Sequence, residues 1–316
     1  MLSRAAENLL WLARYVERAE NTARLLEMGY RLSLLPSSGQ GTGSEWGSVL
    51  DASRTRSSFE AVHGDDVRQQ TVADYLLFDR RNPSSVTNCL ERARSNARAM
   101  RIAITTEMWV AINDAWLAWQ QVLPTRASGG ALREVLEWIR RQGSLFRGTT
   151  DGTLMRTDAY EFIGIGTALE RADNMARLLD VKYYVLLPGG SMVGGGIDHY
   201  QWASILHAAS SLRAYHWTYR TDVSPRNIAD FLILNPFTPR SMHHCYRTLG
   251  DRLNGLARLY GRRHACHEEA GEALAALSDL TIDQIFATGL HEFLDEFIGR
   301  TARLHGSIAT AYHFAE

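Results

Sequence analysis

ERAENTARLLE, Glu17–Glu27, returns as ERADNMARLLD, Glu170–Asp180. Eight of the eleven positions are identical and two more exchange Glu for Asp. The echo spreads outward from there. LLP followed by a glycine-rich stretch and a tryptophan occurs at Leu34–Pro36 with Trp46, and again at Leu186–Pro188 with Trp202. Val72-Ala73-Asp74-Tyr75-Leu76 is matched by Ile228-Ala229-Asp230-Phe231-Leu232, and Pro83, Ser85 and Cys89 by Pro239, Ser241 and Cys245. A period this long exceeds the roughly 20–50 residues of solenoid repeats. It predicts a tandem duplication of a domain-sized unit, with halves 1–153 and 154–316 packed as one pseudo-twofold body.

The spacing within the quoted stretch is helical. Leu12, Tyr15, Val16, Ala19, Ala23 and Leu26 recur at three- and four-residue steps and define one apolar face. Ser3 is placed to cap this helix, and Pro36 with the following Ser/Gly run to end it. Further helices are expected over 45–62 and 66–78, then a long one from Pro83 through Cys89, Ile104 and Leu117 to near Pro124, and another over 131–146. The second copy should begin near Asp158. Residues 268–277 and 282–312 read as two more helices with no obvious first-half counterpart. No stretch alternates with period two for long enough to make a strand. The expected fold is all-α, an internally duplicated, bundle-like array of long antiparallel helices.

At about 100° per residue, Arg14, Glu17, Asn21 and Arg24 share a narrow sector opposite that apolar face; Glu170, Asn174 and Arg177 repeat it. Arg18 and Arg171 sit about 100° further round. Three readings of this stripe are open. Ordinary i,i+3 and i,i+4 pairs on a solvated face are worth only a few tenths of a kcal/mol each. A buried charged seam between the copies would instead cost several kcal/mol to break. A polar pocket would use arginines to hold an anion while a carboxylate positions an amine. The identical spacing in both halves argues against a merely solvated face, which tolerates almost any polar residue.

Of 316 residues, 45% are hydrophobic, enough for an ordinary core, and the formal net charge of −1 leaves no electrostatic footprint for nucleic acid or an anionic membrane. Lys182 is the sole lysine among 34 basic residues, as a GC-rich genome would produce. Three cysteines, Cys89, Cys245 and Cys266, make no disulfide framework and suit a reducing cytosol. Glu7, Arg14 and Glu17 interrupt any signal-peptide core, and no apolar run reaches the roughly 18 residues of a membrane span. The expected location is the cytoplasm, off the membrane.

His264, Cys266 and His267 have a spacing open to metal ligation, but a complete site needs further ligands, and neither this cluster nor His243-His244 repeats in the other half. No metal is therefore assigned. The glycine-rich run from Pro188 to Gly196 lacks the Gly-Lys-Ser/Thr ending that cradles phosphate, so no intrinsic cofactor is expected and ATP enters only through a partner. Trp109, Trp116 and Trp119, and Tyr215 with Trp217, fall at helical spacing and read as core or helix-seam residues.

SRAAENLLWLARYVERAENTARLL (Ser3–Leu26), EFIGIGTALERADNMARLLD (Glu161–Asp180) and ERARSNARAMR (Glu91–Arg101) together resemble the alpha-E family, all-helical bacterial proteins with a Glu-Arg motif, over essentially the whole chain. The resemblance implies association with circularly permuted ATP-grasp amide ligases and with transglutaminase-like or proteasome-like hydrolases, in systems that make or process a peptide. The family's Glu-Arg positions carry over to Glu17-Arg18 and Glu170-Arg171, and the preceding arginine to Arg14. The second copy has Thr167 there, which argues against two equivalent active centres, and Ser95 stands where a glutamate is common. The resemblance assigns no catalytic residue. The leading expectation is a non-catalytic helical partner of an amide ligase, presenting substrate or stabilising the complex. Its rivals are an enzyme using Glu17 or Glu170 as general base with Arg24 or Arg177 fixing a carboxylate substrate, and a purely structural scaffold.

Overall fold

The computed structural model describes residues 1, 3–34, 44–122, 130–185, 196–220 and 223–314; the glycine-rich stretches after Pro36 and Pro188, and Pro124, lie outside these, apart from Gly196 at the start of a helix. The described residues form fifteen helices and no strand: α1 Ser3–Ser33, α2 Ser44–Ala52, α3 Arg56–His63, α4 Gln69–Leu77, α5 Val86–Ala99, α6 Thr106–Val122, α7 Gly130–Thr153, α8 Asp158–Val185, α9 Gly196–Ala208, α10 Leu212–Tyr219, α11 Pro225–Ile233, α12 Met242–Tyr260, α13 Ala265–Asp279, α14 Ile282–Thr288 and α15 Leu290–Ala311. Among them no helix is long and apolar enough to cross a membrane.

α1 and α8 form the spine and run in the same direction. The terminal amine of Met1 lies 3.1 Å from Asp158, Gly166 sits against the Leu10 carbonyl and Ala13, and Arg18 reaches Glu170. Antiparallel packing surrounds this pair. On α1, α5 brings Met100 to Asn8 and Arg92 to Tyr15, and α7 brings Arg140 to Glu27 and Arg147 to Glu17. On α8, α12 brings Tyr260 to Asp158 and Arg252 to Glu161, and α15 brings His291 to Asp180 and Tyr312 to Phe162. α6 packs on α5 and α7, and α13 packs on α12 and α15. α13 and α15, which have no visible counterpart in the first-half sequence, thus lie around α8 and α12 as α6 and α7 lie around α1 and α5.

Three expected helices are broken, and the one over 282–312 becomes α14 and α15 at Gly289, whose φ of 108° only glycine adopts readily. The long helix from Pro83 is two, because the chain turns at Met100–Thr105, where Ile102 is 99% exposed and the Thr105 hydroxyl accepts from the Met108 N–H to start α6. The run Ile-Ala-Ile-Thr-Thr, weak in helix propensity, marks the break. The hairpin then closes by Trp119 donating to the Thr87 hydroxyl at 2.9 Å. The helix over 45–62 breaks at Arg54, whose φ of 53° is left-handed. Ser85 and Ser241 cap α5 and α12 by accepting from the N–H groups of Asn88 and His244. Trp119 and Tyr215 are core, as their spacing suggested, but Trp217 is 80% exposed.

Candidate functional site

Because helices cover α1 on every side, its polar sector is buried along with its apolar one. Glu17, Glu20 and Asn21 are 1%, 0% and 3% exposed. The solvated-face reading is therefore excluded for these residues.

The two Glu-Arg dipeptides pair crosswise. Arg171 donates Nε and Nη2 to the two carboxylate oxygens of Glu17, both at 2.9 Å, and Arg18 donates Nε and Nη2 to those of Glu170 at 2.6 and 3.0 Å. Both forks are bidentate, the strongest arrangement open to arginine and carboxylate. Parallel α1 and α8 make this reciprocity possible by bringing residues 17 and 170 to the same height. Arg14, spaced to reach Glu17 along its own helix, turns to Glu170 instead, at 2.8 Å.

Thr167 cannot return the service of Arg14, and two arginines from elsewhere serve Glu17. Arg147 of α7 contacts it at 3.2 Å, and Arg240, just before α12, at 2.8 Å. Arg147 and Arg240 also bind Glu20, the latter at 2.7 Å. Glu20 takes Arg24 as an i,i+4 partner, and Arg24 spends its remaining donor on the Ala208 carbonyl and the Ser210 hydroxyl. On α8 the corresponding pair is Asp173 with Arg177, two contacts of 2.7 Å. Glu20, Arg147 and Arg240 escape the sequence stripe. Glu20 is echoed by Asp173, a usable signal, whereas Arg240 falls opposite Ser84 and Arg147 lies on α7, eleven residues before α8 begins, outside the repeated stretch.

Burial by itself would raise the carboxyl pKa of Glu17, but Arg171, Arg240 and Arg147 outweigh it and hold the group well below the usual range. The same balance, won by Arg18 and Arg14, brings Glu170 down to about 2. Burial, with repulsion from Arg171 and Arg24, lowers Arg240 to about 10 despite Glu17 and Glu20. Both Glu-Arg carboxylates are thus ionised and held by arginines. A general base needs access to a substrate proton and a pKa near the working pH; Glu17 is buried in the seam, and Glu170, although it lines the cavity beside it, has its pKa pulled far below that range.

Beside the seam lies a polar cavity of about 320 Å³ where Asn21, Asn174 and Arg177 face the broken α2–α3 turn and Ser84. Among the described residues no group of three His, Cys, Asp or Glu is arranged to hold a metal. The His264–His267 pair is engaged locally: His267 accepts from the His264 N–H at 3.0 Å and its other ring nitrogen lies 3.1 Å from the Leu253 carbonyl. All three cysteines are free and buried, and burial pushes the Cys89 and Cys245 thiols up to about 12.

A family model, Alpha-E, described as a predicted alpha-helical domain with a conserved ER motif, matches residues 1–313. No curated protein and no solved structure matches the chain.

Proposed function

The chain belongs to the Alpha-E family, and from that premise we propose that it is a non-catalytic helical partner of an ATP-grasp amide ligase in a cytoplasmic system that makes or modifies a peptide, with transglutaminase-like or proteasome-like hydrolases as further partners. The observation that carries the non-catalytic half of this reading is the crosswise pairing of Glu17 with Arg171 and Glu170 with Arg18 in a buried seam. Carboxylates so placed brace two helices, and pKa values pulled down by their arginines make them poor bases. The ligase is supported by the family resemblance, whose members are tied to such enzymes. The glycine-rich run of this chain from Pro188 to Gly196 lacks the Gly-Lys-Ser/Thr ending that cradles phosphate, and in this reading the chain meets ATP through that partner. Its contribution would be a rigid surface that presents the peptide or stabilises the complex.

Affinity purification from the native host under gentle conditions, with bound proteins identified by mass spectrometry, tests the partnership. Recovery of an ATP-grasp ligase is the expected result. Its absence from a folded wild-type preparation overturns the stable-partner reading, and turnover of an amino acid or peptide by the isolated chain, abolished in a folded Glu17→Gln or Glu170→Gln variant, favours the enzyme.

A further inference from the structure

We propose that the cavity between the C-terminal parts of α1 and α8 and the α2–α3 turn is a binding site for a singly charged carboxylate on an amino-acid-sized ligand. The cavity has a filled counterpart. Pro83-Ser84-Ser85 matches Pro239-Arg240-Ser241, each ending in a serine that caps a helix, and Ala52 to Thr55 matches Ala208 to Ser211, each with a left-handed residue, Arg54 at φ 53° and Ser210 at 54°. On the filled side the Arg240 guanidinium occupies the space between Glu17, Glu20 and Asn21, and Arg24 finds acceptors in Ala208 and Ser210. On the open side Ser84 stands where Arg240 would fill the gap, and Arg54 offers Arg177 no acceptor where Ser210 serves Arg24.

The consequence is a cavity with donors to spare. Asn21, 3% exposed, turns Oδ1 toward Arg240, which leaves its buried Nδ2 unpartnered, and Arg177 likewise has a buried, unpartnered Nη1. Both residues line the cavity. Buried donors without acceptors are costly, and an incoming acceptor relieves them. Charge selects among acceptors: Arg18, Arg54 and Arg177 line the cavity with Glu170 and Asp173, and with Arg14 on Glu170 and Asp295 3.9 Å from Arg54 the group keeps a surplus of one positive charge. That matches one carboxylate, is short for a phosphate dianion and opposes a cation. A volume of about 320 Å³ admits a carboxylate with a few further heavy atoms. Nothing in this site depends on a ligase partner.

The test is titration of the full chain with N-acetylglycinate, inorganic phosphate or guanidinium at constant ionic strength and neutral pH, followed by calorimetry and by the thermal midpoint. N-acetylglycinate should bind saturably at one site. Asn21→Asp, which keeps the acceptor toward Arg240 and removes the donor, should weaken it at least tenfold, and Ser84→Arg, which copies the filled side, should abolish it. Should Ser84→Arg fail to fold, Arg54→Gln at the exposed rim replaces it, with weakening of about threefold expected. No saturable response in wild type, preference for phosphate or guanidinium, or unchanged binding in the folded variants overturns the assignment.

Discussion

Glu17 and Glu170 are where single side chains matter most. Glu17→Gln or Glu170→Gln strands arginines that are themselves largely buried, so each should lower unfolding free energy by about 3–5 kcal/mol, the scale for breaking one partner of a buried pair. Urea denaturation measures it, and a double variant of wild-type stability would remove the brace. Acid should act on the same groups. Glu170, at about 2 folded against 4.5 for the free side chain, binds its proton more readily unfolded. Its contribution, on the order of 3 kcal/mol, is therefore complete above about pH 4.5 and disappears as pH falls toward 2. Urea midpoints across that range should decline steeply in wild type and less in Glu170→Gln. The identity of these glutamates was legible in the repeated motif; their partners were not, because Arg147 and Arg240 reach Glu17 from elements with no matching spacing.

At the scale of elements, the approach of α1 to α8 depends on Gly166, where a Cβ would lie 2.2 Å from the Leu10 carbonyl oxygen. Backbone cannot yield as a flexible side chain does, so Gly166→Ala should cost about 1–3 kcal/mol. Gly148, mid-helix in α7 with open space around its Cα, is the control: Gly148→Ala should stabilise by about 0.5–1 kcal/mol. Thermal unfolding of the two variants side by side reads both signs, and equal shifts would mean that the helices part freely. Helices were legible from their periodicity, but breaks at Met100, Arg54 and Gly289 were not, since a helical period continues through a turn whenever the flanking helices keep facing one core.

For the whole molecule, burial of α1 against α8 makes each half a poor unit alone. Fragments 1–153 and 154–316 should each show reduced helicity and aggregate when expressed separately, and together should restore the far-ultraviolet spectrum and one cooperative transition. Two independently folded, monomeric fragments would sink the single-body reading. The sequence by itself determined that the chain is helical, that its Glu-Arg stretch occurs twice, and that it belongs with proteins bearing that motif, because periodicity and identity are local properties of a string. Only the tertiary structure decided that the stripes face each other instead of water, that α1 and α8 run parallel, and that one side of the seam is plugged by Arg240 while the other stays open. A helix has two faces and a sequence does not say what covers the second; a charge becomes a brace or a binding group only when distant segments fix its neighbours and its exposure.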